Sequence, residues 1–185
     1  EYWIAAFDWW GKTSSAVADD TKAINGAIAI PAGGAGGLTA FVFSGGAHFA
    51  YWHGRSICSD DNFMTTLYGP GAPILDDGQL SGKYPLFKRH MTALTSMGEE
   101  LAQAGMPEID ESQPELLRTV RQSPSGAQFE FLINQSKQAM TIADEEKDQA
   151  CVDFAIPAGS AAWRVANIPL PHGLKLLKTS ADVFT

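Results

Sequence analysis

The chain has 185 residues, 45% of them hydrophobic, which is enough to bury one core or two small ones. Its 13 basic and 21 acidic residues leave a formal charge of -8, which repels phosphate backbones and argues against nucleic acid as a partner. No apolar run approaches the roughly 18 to 20 residues that span a bilayer, so no membrane partner is expected.

The first stretch, EYWIAAFDWWG, sets Glu1 ahead of Trp3, Trp9 and Trp10, with Asp8 between Phe7 and Trp9. A carboxylate in such company is either paired in the interior or at work. The tryptophan density suits a carbohydrate platform, and equally a tryptophan-rich core. Ser14 and Ser15 offer N-caps for a helix with Val17, Ile24 and Ile28 on one face, ending before Pro31. After the flexible PAGGAGG turn, Leu38 to Phe43 reads as a buried strand that stops at Gly45 and Gly46. His48, Phe49, Tyr51, Trp52 and His53 follow. Flat ring faces for C–H edges and ring nitrogens for hydroxyls are what a sugar-binding rim needs. The alternative is a loop whose aromatics cap a core.

Arg55 to Gly71 reads as irregular. Pro85 fits the first turn of a second helix carrying Leu86, Phe87, Met91, Leu94 and Leu101, with Lys83, Lys88 and Arg89 on a solvated face. Strand and helix alternate to this point, which predicts an α/β layer with a parallel sheet.

Beyond Met106 the period changes to two. Val120, the trio Phe129, Phe131 and Ile133, the pair Met140 and Ile142, and then Val152, Phe154 and Ile156 mark short strands separated by turn signals. This predicts an antiparallel β-domain over residues 107–185, after a first domain over 1–106. The acidic run from Asp144 to Asp148 lacks the spaced ligands and glycine of a calcium loop and reads as a solvated turn. Cys58 and Cys151 fall in different expected domains, so no disulfide is expected between them.

Three blocks, EYWIAAFDWWG, LTAFVFSGGAHFAYWHG and TTLYGPGAPILDDGQLSGKYPLFK, in this order, resemble the C-terminal part of the catalytic domain of the family 35 glycoside hydrolases, mostly β-galactosidases. The likeness covers Glu1 to about Lys88. Residues after about Pro107 resemble, less sharply, the region that follows in bacterial members. The resemblance implies the C-terminal portion of a (β/α)8 TIM barrel, with the site at the C-terminal ends of its strands, followed by a small antiparallel β-sandwich-like domain. It also implies a retaining mechanism, in which two carboxyl groups about 5 Å apart act as nucleophile and as acid/base.

Glu1 matches the nucleophile, and the acid/base glutamate of the family lies before it, outside this sequence. The chain begins without methionine and stops inside an apparent strand, so both ends are expected to be cuts in a longer protein, and the stretch alone is expected to be inactive. The substrate-binding residues carried over are Trp3, Phe41, His48, Trp52 and Tyr68. No metal and no cofactor are implied; the partner is a β-galactoside oligo- or polysaccharide, and the compartment is secreted, periplasmic or lysosome-like.

Several positions depart from the family pattern. Phe41 stands where a tyrosine hydroxyl reaches the site, Ala47 and His48 replace Thr-Asn, Ala6 replaces a tryptophan, and Pro70 and Gly71 replace Tyr-Asp. His48 and His53 are not backed by a carboxylate at helical or strand spacing, so they read as hydrogen-bonding groups rather than metal ligands. Trp52 reads equally as a subsite platform or as packing. Without catalysis, the same residues fit a carbohydrate-binding or scaffolding relative, and within catalysis a different glycone.

Overall fold

The computed structural model describes residues 1–12, 19–55, 63–142 and 154–179. The helix-capping serines, both cysteines and the acidic run lie outside these residues. In chain order the elements are β1 (Tyr2–Trp3), β2 (Phe7–Trp9), α1 (Asp20–Ala32), β3 (Ala40–Phe41), β4 (Gly46–Ala47), β5 (Met64–Tyr68), α2 (Lys83–Ser96) and α3 (Gly98–Gln103). They continue with β6 (Glu108–Asp110), β7 (Leu116–Gln122), β8 (Gln128–Asn134), β9 (Met140–Ile142), β10 (Phe154–Ile156), β11 (Ala161–Pro169) and β12 (Lys175–Thr179). Two compact units result, Glu1–Ile24 with Leu38–Lys88, and Asn25–Gly37 with Arg89–Thr185. No helix among the described residues is long and apolar enough to cross a membrane.

The expected portion of a (β/α)8 barrel does not form. The described chain is mostly β-strand in antiparallel sheets, with three short helices. Its single parallel ladder, β1 with β3, is two residues long, pairing Tyr2 with Ala40 and Trp3 with Phe41. The other sheet of the first unit, three-stranded in the order β2-β5-β4, is antiparallel. Its central strand, β5, lies in the stretch read as irregular. Consecutive β-branched Thr65 and Thr66 beside Leu67 and Tyr68 favour extended backbone, and this strand pulls both flanking loops into one antiparallel sheet where a parallel layer was expected.

The helices also end differently. Asp19 caps α1, its Oδ1 accepting from the Lys22 amide at 2.7 Å, and that hydrogen bond holds its carboxyl below the usual value. The helix runs through Pro31 to Ala32 before Gly33 and Gly34 stop it. The second helical segment breaks at Met97 into α2 and α3. Lys83, assigned to a solvated face, is instead 1% exposed.

In the second unit, β12-β11-β8-β7-β6 form one antiparallel sheet, and the expectation of a β-rich region there fits. Alternation assigns the two faces. Phe129 and Phe131 are fully buried on one, opposite Val165 and Trp163, with the Phe131 and Trp163 rings stacked 5.9 Å apart. Leu116 and Leu132 are buried on the other, where the β9–β10 hairpin supplies Ile156, Met140, Ile142 and Phe154 as the second layer of the core. Asn134 Nδ2 donates to the Gln138, Ile156 and Pro157 carbonyls, fastening that hairpin to the end of β8. Burying these apolar side chains stabilises each by roughly 1.5–3 kcal/mol.

Candidate functional site

Glu1 is exposed at the start of β1. Alternation along the strand puts its side chain and that of Trp3 on the same side, and the indole Nε1–H donates to Glu1 Oε1 at 2.5 Å. In-register pairing with β3 then lays Trp3 beside Phe41, with ring centroids 4.7 Å apart. The pairing is locked by Tyr2 N–H donating to Thr39 O and Ile4 N–H to Phe41 O, both at 2.8 Å. The Tyr2 hydroxyl donates to the Ala23 carbonyl at 2.9 Å, and burial raises its phenol above the usual value.

Tyr68 reaches the same place from β5. Its neighbours across the sheet are Phe7 on β2 and Gly46 on β4, and its ring lies 5.2 Å from Phe7 and 5.8 Å from Phe41. Phe7 meets Trp3 edge-on at 5.8 Å, an arrangement the ring quadrupoles prefer. Two imidazoles complete the group. His53 Nδ1 lies 3.0 Å from the Thr65 carbonyl, which as an acceptor requires the proton on Nδ1 and leaves Nε2 as the other ring nitrogen. The His48 ring lies 4.4 Å from it, tilted by 34°, and His53 lies 5.1 Å from Tyr68.

Trp3, Phe41, His48 and Tyr68 thus fall into one contiguous ring cluster with Glu1 at its edge. Trp52 stays outside it, 79% exposed on the turn after His48. Sequence reasoning left out Phe7, and it named His53 as a hydrogen-bonding group of the rim without placing it among the substrate-binding residues carried over from the family. Phe7 carries a signal, since it is two residues from Trp9 and four from Trp3 on one strand–turn–strand stretch; His53 depends on the Thr65 contact, which no local pattern announces.

The backbone under the cluster is fixed by Lys83. Its Nζ donates to Ile4 O at 2.9 Å and to Gly71 O at 2.8 Å, joining the first and third sequence blocks. Burial lowers this ammonium below the usual lysine value, while Asp20 and Asp19 act in the opposite direction. Gly45 donates its N–H to Ile74 O at 2.7 Å; a side chain there would press on the Asp76 amide, so it is the first of the two glycines that lets the backbone pass close to this loop. Asp8 turns Oδ1 inward with no hydrogen-bond partner among the described residues. No protein-family model matches the chain, and no curated protein matches it either. The likeness to family 35 therefore rests on the three sequence blocks alone.

Chemically the cluster combines a broad apolar wall with the Glu1 carboxylate at its rim, and the phenol of Tyr68 and the two imidazoles are part of it. Such a wall can stack the C–H face of a sugar ring, and the rim can bind hydroxyls. Among the described residues, no three His, Cys, Asp or Glu side chains come together to hold a metal ion.

Proposed function

We propose that this chain is part of a retaining glycoside hydrolase that removes terminal β-D-galactosyl residues from β-galactosides, with Glu1 as the nucleophile. The observation that carries the reading is the Trp3–Glu1 hydrogen bond, which holds a carboxylate at the edge of a ring cluster drawn from all three family-like blocks. Glu1 Oε attacks the anomeric carbon as the bond to the leaving oxygen breaks. A second carboxyl group, which the family supplies from an earlier part of the chain, protonates that oxygen. Water, deprotonated by the same group, then displaces the sugar from Glu1 and restores both carboxyl groups.

Loss of polar groups around the nucleophile supports a second reading, a protein that binds β-galactosides without hydrolysing them. Phe41 lacks a hydroxyl, and Ala47 and Pro70 stand where the family carries polar side chains. Discrimination between sugars comes largely from paired polar groups, so preference for galactose over glucose is weaker in either case.

A 2-deoxy-2-fluoro-galactosyl fluoride applied to the full-length protein separates the two. The expected result is a covalent mass increase that maps to the peptide holding Glu1 and disappears in Glu1→Gln. Label with only the glucosyl reagent changes the substrate. No label with either reagent, in protein that unfolds cooperatively, leaves the binding reading.

A further inference from the structure

The five-stranded sheet of the second unit has two edges of opposite character. Among the described residues, β12 is the outer strand on one side and β6 on the other. The stretch around β6, from Met106 to Glu115, carries Glu108, Asp110, Glu111 and Glu115 and no basic residue. The stretch around β12 reverses this: from Phe154 to Ala181 the sequence holds Arg164, Lys175 and Lys178 and no acidic residue. Each edge also keeps large apolar side chains in water. Met106 is 81% and Ile109 59% exposed at the first, and Leu174 is 65% and Leu177 72% exposed at the second.

Strand direction and facing fit the two edges together. Successive antiparallel pairings of β6 with β7, β7 with β8, β8 with β11 and β11 with β12 leave β6 and β12 running the same way. Residues directly opposed across a ladder share a face. Glu108 opposes Val120, Val120 opposes Glu130, and Glu130 opposes Arg164; two residues on, Ala166 opposes Lys178. Glu108 and Lys178 therefore stand on one face, and their neighbours Ile109 and Leu177 on the other.

We propose that β6 of one copy of this chain pairs with β12 of a second copy, extending the sheet from molecule to molecule. A copy displaced sideways without rotation sets these edges side by side, parallel and with matching faces. Carboxylates then meet ammonium groups on one face, and Ile109 meets Leu177 on the other. Main-chain N–H and C=O groups that an edge strand turns away from its neighbour supply the ladder. The charges also select against the alternatives: β12 against β12 sets lysine beside lysine, and β6 against β6 sets carboxylate beside carboxylate. Edge lysines protect a sheet from like edges, but here the opposite edge is acidic. A sideways displacement does not close on itself, so the product is an open row of copies, wound by the twist of the sheet. The pairing is independent of the chemistry proposed for Glu1.

Sedimentation of the full-length protein tests the pairing. The weight-average mass should rise with concentration past that of a dimer. One variant alters the first edge, Glu108→Lys with Ile109→Lys, and another alters the second, Lys175→Glu with Leu177→Glu; all four residues are exposed. Each variant alone should associate about tenfold more weakly or less still, because its two edges no longer complement each other. An equimolar mixture should pair again as unlike copies, since β12 of the first variant and β6 of the second are both intact, a recovery that misfolded chains could not give. Wild-type protein that stays monomeric at every concentration overturns the proposal. Association that survives either variant overturns it by placing the contact on one edge alone or elsewhere, and a mixture that stays dissociated overturns it too.

Discussion

The ammonium of Lys83 donates to the main-chain carbonyl of Ile4 at 2.9 Å, across 79 positions of sequence. With the second bond to Gly71, it is the side chain that holds the strand behind Glu1 to the loop before α2. Lys83→Met removes both donors and leaves two carbonyls without them in the interior. The expected loss is about 3 kcal/mol of stability, read as a fall in the urea midpoint at unchanged slope. An unchanged midpoint would show that these bonds contribute nothing net.

His90 should make the protein acid-sensitive. Its Nε2 donates to the Ala27 carbonyl at 3.3 Å, its Nδ1 is buried without a hydrogen-bond partner among the described residues, and Trp163 meets the ring edge-on. Burial lowers its pKa from 6.5 to about 4, and the Ala27 bond opposes this. Below pH 6.5 the unfolded chain takes up a proton that the folded chain refuses, so stability falls as pH drops from 6.5 towards 4. The loss approaches about 3 kcal/mol. His90→Gln keeps a donor for Ala27 and cannot titrate, so unfolding free energy measured across this window should have a shallower slope than wild type.

Glu130 on β8 accepts from Arg118 Nε at 2.5 Å and from Arg164 Nε, its cross-strand partner on β11. Burial pushes its carboxyl up, but the arginines outweigh this, Arg164 more than Arg118, and the net pKa is lowered. Its contribution is therefore present above the ordinary glutamate value and disappears as pH falls through the lowered one. Glu130→Ala strips a largely buried guanidinium of its carboxylate and should destabilise by about 3–5 kcal/mol. Glu130→Leu combined with Arg164→Leu should lose less than Glu130→Ala alone; a double variant that is equally unstable would show that the pair is needed for more than mutual neutralisation.

Gly69 is buried at φ +72°, and an added Cβ would collide with Val42 Cγ2. Gly69→Ala should lower stability by about 2–3 kcal/mol through strain and overpacking together. Val42→Ala removes the colliding methyl, so in a double-mutant cycle it should recover part of the Gly69→Ala loss. Strict additivity would put the whole loss on the backbone angle.

In the second unit β8 was legible because its seven residues show their alternation, while β6, β11 and β12 were not marked. Phe129, Phe131 and Ile133 alternate with Gln128, Glu130 and Leu132, and the two polar residues among them mark the period of two, although burial extends to both faces. The first unit was not legible as a fold. Its strands are two to five residues long, and a ladder such as Trp3 with Phe41 is held by partners far apart in sequence. Strand direction there is decided by β5, whose Thr-rich segment carries no apolar alternation to distinguish it from a loop. Lys83 was misread for a related reason, since helical spacing predicts the direction of a side chain but not the carbonyls waiting for it. The site fared differently: aromatic and imidazole residues could be picked out by chemical type, while the bond between Trp3 and Glu1 and the contact between His53 and Thr65 emerge only from three-dimensional placement.

Arg121 reads differently from the other buried charges. Its guanidinium donates to the carbonyls of Pro31, Leu101, Ala104 and Gly105, at the C-terminal ends of α1 and α3, and burial lowers its pKa. Peptide carbonyls do not take up protons in the range where carboxylates do. As acid successively releases His90 and Glu130, this clasp keeps its charge and all four of its acceptors. The helix ends it gathers should accordingly be the last part of the second unit to come apart at low pH, a latch that acid cannot open.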